Sequence, residues 1–154
     1  MNDFRRTLIL DDELPIVNLL TRVCEQEGHL VRPFMRPAEA LECLAREPID
    51  LLITDMYMPE ADGITVTEGA WRLRPDLYVL IITGHAGMFP VERLLAGGHA
   101  DIMFKPFRLN EFRARLDLAR RRRAMVSRLH AETRALHEIS NRHIQELQRE
   151  LEGR

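Results

Sequence analysis

The chain has 154 residues, of which 45% are hydrophobic and 30% charged, and its net charge is −2. These values suit one compact domain with some excess length. The short N-terminal apolar run is not a signal-peptide core, and no apolar run approaches the roughly 18 residues that span a bilayer. Cys24 and Cys43 lack CxxC spacing, which argues against a disulfide scaffold or a zinc site and favours buried, reduced thiols. We therefore expect a cytoplasmic protein that does not insert into a membrane.

Charge is distributed unevenly along the chain. Residues 1–105 carry 10 basic and 17 acidic side chains, whereas residues 106–154 carry 12 basic and 7 acidic ones. The two parts are expected to present different surfaces.

Apolar segments alternate with helix-period segments through the first 104 residues. The near-continuous apolar segments indicate buried parallel strands, and one more polar segment, His29–Phe34, suits a sheet edge. In chain order the predicted elements are strand Thr7–Leu10, helix Glu13–Glu27, strand His29–Phe34, helix Pro37–Glu47, strand Ile49–Thr54, helix Gly63–Leu73, strand Leu77–Thr83, helix Pro90–Ala96 and strand Ala100–Phe104. This alternation predicts an α/β fold with a doubly wound parallel sheet and right-handed crossovers.

Polar residues stand at the carboxyl ends of four predicted strands, which is where such sheets bind ligands. They are Asp11 and Asp12, then Asp55, Thr83 and Lys105. Each alone is an ordinary turn or capping residue, but together they converge on one rim. Three carboxylates in a small volume repel one another unless a cation compensates, and Mg²⁺ prefers such hard oxygen ligands.

This set of side chains suits phosphoryl transfer. A carboxylate such as Asp55 can attack phosphorus and form an acyl phosphate. The reaction otherwise needs alignment and neutralisation of charge on the peripheral oxygens, which a metal ion, Lys105 and the Thr83 hydroxyl could supply.

Residues 5 to about 120 resemble a receiver domain of the bacterial two-component response-regulator (CheY-like) family. A Thr lies 28 residues after Asp55 and a Lys lies 22 residues beyond it. The matching motifs are Leu8-Ile9-Leu10-Asp11-Asp12-Glu13, the run from Asp50 through Asp55 and Met58-Pro59 to Asp62-Gly63, Ile81-Ile82-Thr83-Gly84-His85, and Lys105-Pro106-Phe107. The resemblance implies a flavodoxin-like five-stranded sheet in the order 2-1-3-4-5.

The resemblance also implies a role for each rim residue. Asp11, Asp12 and Asp55 would hold Mg²⁺ together with the backbone carbonyl of Tyr57. Asp55 would be the phosphoacceptor, served by a phosphohistidine on a sensor histidine kinase or a phosphotransfer protein. The protein would then be a signalling switch that catalyses only its own phosphorylation and dephosphorylation.

Three further implications concern the switch itself. Thr83 would move towards the phosphoryl group, Lys105 would contact it, and Lys105-Pro106 would be a cis peptide, a bond type found almost only before proline.

The sequence departs from the family at Ile102, where the family usually has Tyr or Phe, which puts the aromatic part of the switch in doubt. Tyr57 and His85 occupy positions that tune access of water to the acyl phosphate, or they are ordinary loop residues.

The C-terminal part of the chain exceeds what a receiver needs. We assign residues 1–120 to the receiver domain and residues 121–154 to a helical extension. One helical pattern runs from Leu109 towards Glu152, which corresponds to roughly 65 Å of helix. Its imperfect heptad seam favours a parallel homodimeric coiled coil. The alternatives are packing back on the receiver, a connector to an output domain, or fraying.

Other functions are weighed against the receiver assignment. The basic run Arg120–Arg123 suits a solvated helix face better than a nucleic-acid site, so we expect no direct nucleic-acid binding. Phosphorylation of His137 is disfavoured because Asn141 stands where histidine-kinase helices usually have proline. Gly-rich nucleotide loops are absent from the sequence. The main rival is a constitutive adaptor that uses a receiver fold on a coiled coil.

Overall fold

The computed structural model describes residues 5–84, 91–96 and 99–153. It contains five strands and five helices in strict alternation. They are β1 (Arg6–Leu10), α1 (Leu14–Gln26), β2 (Leu30–Phe34), α2 (Pro37–Arg46), β3 (Leu51–Asp55), α3 (Gly63–Leu73), β4 (Tyr78–Thr83), α4 (Val91–Leu95), β5 (Ala100–Phe104) and α5 (Leu109–Glu152). The predicted α/β alternation is confirmed.

The element ends differ from the predicted ones by at most two residues, and α3 and β5 have the predicted bounds. Ile49 and Asp50 lie before β3, and Asp55 is its last residue rather than the residue after it. The first helix starts at Leu14, and Gly28, with a φ of 86°, follows its end. Such a backbone conformation favours glycine, which explains why the helix stops there.

All five strands form one parallel sheet in the order β2-β1-β3-β4-β5, as the resemblance implied. The predicted edge position of β2 is also confirmed, and Pro33 explains it: proline lacks the N–H that a central strand would need. Because the chain leaves β1 towards β2 on one side and then adds β3 on the other, the switch in strand order lies between β1 and β3. This is the point at which doubly wound sheets bind ligands.

Apolar side chains fill both faces of the sheet. In β1, Leu8 and Leu10 point into a cluster with α2, α3 and α4, whereas Ile9 points into a cluster with α1 and α5. All residues of β3 and β4 are buried. Burial on both faces explains why these strands read as continuous apolar runs rather than as alternating ones.

The last helix runs over residues 109–152, as predicted, and the chain divides into two compact units, residues 1–123 and residues 124–154. Within the first unit, α5 buries Phe112, Leu116 and Ala119. None of the helices that the structure describes is both long enough and apolar enough to cross a bilayer.

Candidate phosphoacceptor and metal site

Three carboxylates meet at the carboxyl edge of the sheet, beside the switch in strand order. Asp11 and Asp12 follow β1, and Asp55 ends the neighbouring strand β3. Each offers a carboxylate oxygen, and these three oxygens lie within 4.8 Å of one another. Asp11 is buried, Asp12 is exposed, and Asp55 is only 9% exposed. The structure therefore brings together the acidic residues that the sequence singled out.

Lys105, which follows β5, extends its ammonium group into this acidic cluster. Its Nζ lies 3.4 Å from Asp11 Oδ2 and 3.3 Å from Asp55 Oδ2. The backbone N–H of Lys105 donates to the carbonyl of Thr83, which ties the end of β5 to the end of β4. The peptide bond between Lys105 and Pro106 is cis, as the resemblance implied.

Burial and ion pairing have opposite effects on the pKa values of Asp11 and Lys105. Burial raises the pKa of Asp11, although the backbone N–H of Glu13 and the charge of Lys105 act against the rise. Burial opposes the charged form of Lys105, but Asp11 and Asp55 together outweigh it and raise the pKa of Lys105. A cation among these carboxylates is therefore stabilised by the surrounding charge.

Backbone groups orient the buried carboxylates. The N–H of Glu13 donates to Asp11 Oδ1 at 2.8 Å, and the N–H of Tyr57 points towards Asp55 Oδ1 at 3.4 Å. The second oxygen of each carboxylate, Asp11 Oδ2 and Asp55 Oδ2, accepts from the Lys105 ammonium group. The local chain thus presents carboxylate oxygens to the centre of the cluster.

Gly63 is a supporting residue whose role the sequence analysis missed. A Cβ atom at this position would lie 2.6 Å from the carbonyl oxygen of Asp55 and 3.0 Å from Cα of Met56. The N–H of Gly63 donates to the Met56 carbonyl at 2.7 Å, so the start of α3 rests directly on the backbone of the site. The neighbouring Asp62 caps α3 by accepting from the N–H of Thr65 at 2.7 Å. An Asp-Gly pair at a helix start, shortly after a strand-end Asp, was the available signal.

The remaining predicted site residues have different surroundings. Thr83 is the last residue of β4 and fully buried, one position beyond the residue that pairs with Asp55. Tyr57 is 41% exposed in the loop after β3. Ile102 lies on β5 and packs into the core cluster with Leu94. His85 lies outside the described residues.

The donor set fits a hard divalent cation. The three acidic side chains supply oxygen atoms, and a buried carboxylate whose pKa is already raised by burial gains from a compensating positive charge. The cluster could hold a metal ion between Asp11, Asp12 and Asp55.

Comparison with known proteins agrees with this geometry. The family model of the response regulator receiver domain matches residues 7–117. The receiver protein CpdR of Brucella abortus strain 2308 is 36% identical over 107 residues, which are 70% of this chain and 89% of that protein. Other curated relatives are longer, and the matched region spans between a quarter and a half of them.

Solved structures show the same fold. A CheY-like receiver domain protein from Methanospirillum hungatei JF-1 has a TM-score of 0.73 and 24% identity, with 80% of this chain and 98% of that chain covered. The beryllofluoride-activated NtrC4 receiver domain dimer has a TM-score of 0.68 and 26% identity, with 74% and 94% covered. The motif order, the sheet topology and the family match together lead to one conclusion: this chain belongs to the response regulator receiver family.

Proposed function

We propose that this protein is a response regulator of a two-component phosphorelay that accepts a phosphoryl group on Asp55. The observation that carries the proposal is the contact of Lys105 Nζ with both Asp11 and Asp55, at 3.4 and 3.3 Å, on the rim where Asp12 also lies. The proposed nucleophile, the proposed metal ligands and the Lys105 cation therefore lie within one small volume. These are the parts that phosphoryl transfer to a carboxylate requires.

In the proposed reaction an Asp55 carboxylate oxygen forms a bond to the phosphorus of a phosphohistidine. The P–N bond breaks, its electron pair stays on the imidazole nitrogen, and that nitrogen takes a proton from water. The Tyr57 N–H helps to orient the attacking carboxylate, and Lys105 stabilises negative charge on a peripheral phosphoryl oxygen. The donor histidine would belong to a sensor kinase or a phosphotransfer protein.

Asp11, Asp12 and Asp55, with the backbone carbonyl of Tyr57, would hold Mg²⁺. When bound, the ion would neutralise charge on the carboxylates and on the incoming phosphoryl group. The buried Asp11 would keep its orientation through the Glu13 N–H, while the exposed Asp12 would leave the site open to solvent and to the phosphodonor.

Phosphorylation would act as a switch rather than as the turnover of a substrate. The buried Thr83 ends the strand beside Asp55 and is tied through its carbonyl to Lys105, so a new phosphoryl group could bias both residues towards a second arrangement. With Ile102 in the core in place of an aromatic residue, the readout would pass through backbone and packing changes around Thr83. We place this signalling in the cytoplasm, with output through protein contacts.

Mass spectrometry after treatment with a phosphodonor tests the proposal. Wild-type protein and Asp55→Asn are incubated with acetyl phosphate, with and without Mg²⁺. We expect the wild type to gain the mass of one phosphoryl group only when Mg²⁺ is present, and Asp55→Asn to gain none. A wild-type protein that stays unmodified would favour the constitutive adaptor. Modification that persists in Asp55→Asn would place the acceptor elsewhere.

The lifetime of the acyl phosphate forms a separate part of the proposal. Tyr57 stands two residues beyond the acceptor and is exposed at 41%, so its side chain can influence the access of water to the phosphorylated Asp55. His85 holds the corresponding position after Thr83. Decay of the phosphorylated protein is measured in Tyr57→Ala and His85→Ala. Altered lifetimes support a tuning role, and lifetimes equal to that of the wild type would remove it.

A further inference from the structure

The C-terminal unit carries a stripe of exposed apolar side chains, which Thr133, Ser140 and His143 interrupt. At 100° per residue its members fall within an arc of about 140° on α5. Each is at least 49% exposed: Met125, Leu129, Leu136, Ile139, Ile144, Leu147 and Leu151. Several large apolar side chains exposed along one side of a helix indicate an interaction surface.

The two edges of the stripe differ in charge. Charged side chains of both signs follow one edge: Arg128, Arg142 and Glu146 lie along it, and Glu132 and Glu150 lie just inside it. The other edge bears side chains without a permanent charge, namely Val126, His130, His137 and Gln148. When two such helices pair, an antiparallel arrangement brings like edges together, whereas a parallel one sets each edge against the opposite edge.

The charged edge complements itself only when the second helix runs in the opposite direction. About a midpoint near residue 138, Arg128 faces Glu146 and Glu150 of the other copy, and Glu132 lies between Arg142 and Glu146, so attractive pairs outnumber the one repulsive pair. A parallel pair would instead set all of these charges against an edge that carries none. Opposite charges at such flanking positions set partner choice and orientation in helix pairs.

The same midpoint matches the apolar stripe. Leu129 and Leu147 are equally far from residue 138, and so are Met125 and Leu151. Between them, Leu136 meets Ser140, so a large side chain lies opposite a small one. A parallel pair would place Ser140 on Ser140 at the centre of the seam, which leaves the middle of the interface poorly filled.

We propose that residues 125–151 of two copies of this chain pair as an antiparallel helical dimer. The overlapping segments are about 40 Å long. The heptad seam alone favoured a parallel pair, but the distribution of charge along its edges reverses that preference. Pairing of the tails does not depend on phosphorylation of Asp55, so it can be tested on the unmodified protein.

Cross-linking of full-length variants that each carry one added cysteine distinguishes the two orientations. Leu129→Cys and Leu147→Cys are mixed and oxidised, and the linked peptides are identified by mass spectrometry. The native thiols interfere little, since burial raises the pKa of Cys24 to about 12 and also raises that of Cys43. Arg134→Cys, on the far side of the helix, is the matched control.

We expect disulfides between residues 129 and 147 to dominate in the mixture, and Arg134→Cys to cross-link weakly. Predominant linkage of 129 to 129 and of 147 to 147 would overturn the antiparallel arrangement in favour of a parallel one. Cross-linking no stronger than that of the control would overturn the pairing altogether.

Charge reversal provides an independent test by sedimentation equilibrium. Arg128→Glu should raise the dimer dissociation constant about fivefold or more, because each copy then sets a carboxylate at position 128 against Glu146 and Glu150 of the other copy. Adding Glu146→Arg to this variant should bring the dissociation constant back towards the wild-type value. Arg134→Glu alone, on the far face of the helix, should leave the dissociation constant unchanged. A double variant as weak as the single one, or a wild type that stays monomeric at high concentration, would contradict the proposal.

Discussion

Replacing Gly63 with alanine should destabilise the receiver even though alanine is the better helix former. Alanine gains at most about 0.5–1 kcal/mol over glycine in a helix. Its Cβ, however, would stand 2.6 Å from the Asp55 carbonyl oxygen, about 0.8 Å inside the 3.4 Å at which ordinary contact begins. Both neighbouring groups are backbone, so α3 or the end of β3 must move. Forced overpacking of this kind costs about 1–3 kcal/mol.

Gly69 supplies a control within the same helix. A Cβ at Gly69 would meet the Leu41 side chain at 3.4 Å, which is an ordinary contact with a flexible group. Gly69→Ala should therefore stabilise the protein by about 0.5–1 kcal/mol. Urea denaturation followed by the fluorescence of Trp71, the single tryptophan, reports on α3 directly. We expect the two variants to differ by about 2 kcal/mol in unfolding free energy.

The same pair of variants tests the link from fold to site. Displacement of the Asp55 backbone should slow phosphorylation by acetyl phosphate in Gly63→Ala and leave Gly69→Ala at the wild-type rate. Gly63→Ala that is as stable as Gly69→Ala would refute the steric reasoning. Gly63→Ala that is destabilised but phosphorylated at the normal rate would show that the contact supports folding without positioning Asp55.

Three further predictions concern other groups. Burial lowers the pKa of His29, so below about pH 6.5 the unfolded chain binds more protons than the folded chain, and the free energy of unfolding should fall with the pH. The slope for one proton cannot exceed about 1.4 kcal/mol per pH unit, and His29→Gln should reduce it. Arg115 donates to both oxygens of the buried Asp101, at 2.9 and 2.8 Å, so Arg115→Ala should lower the free energy of unfolding by about 1–3 kcal/mol in thermal or urea denaturation. Arg120→Ala, which removes an exposed ion pair, should change this free energy little. Asp12→Asn should weaken Mg²⁺ binding roughly tenfold in calorimetry. The free energy of unfolding should stay unchanged because Asp12 is exposed. An unaltered Mg²⁺ affinity would show that Asp12 is not a ligand of the metal site.

Much of the candidate site could be predicted because parallel strands end at one edge. Asp11, Asp55, Thr83 and Lys105 each terminate or follow a strand, so a correct count of strands already places them on one rim. The helix bounds were accurate to within one residue because local signals also set them. Burial repeats with the period of each element, and Gly28 and Pro75 mark ends that local backbone geometry requires.

Contacts between distant segments could not be predicted in this way. The supporting role of Gly63 depends on how closely α3 approaches the end of β3. The two hydrogen bonds from Arg115 to Asp101 depend on the rotation of α5 against β5. Periodicity indicates which face of a helix is buried, but not the distance at which it packs.

The sequence by itself determined the order of elements, the acidic and basic residues at the strand ends, and the charge pattern along the final helix, because these follow from local periodicity and residue chemistry. The tertiary structure alone decided that Lys105 meets Asp11 and Asp55, residues 94 and 50 positions away in the chain. Such a contact arises from the packing of whole elements on one another, and no local pattern encodes its distance or direction.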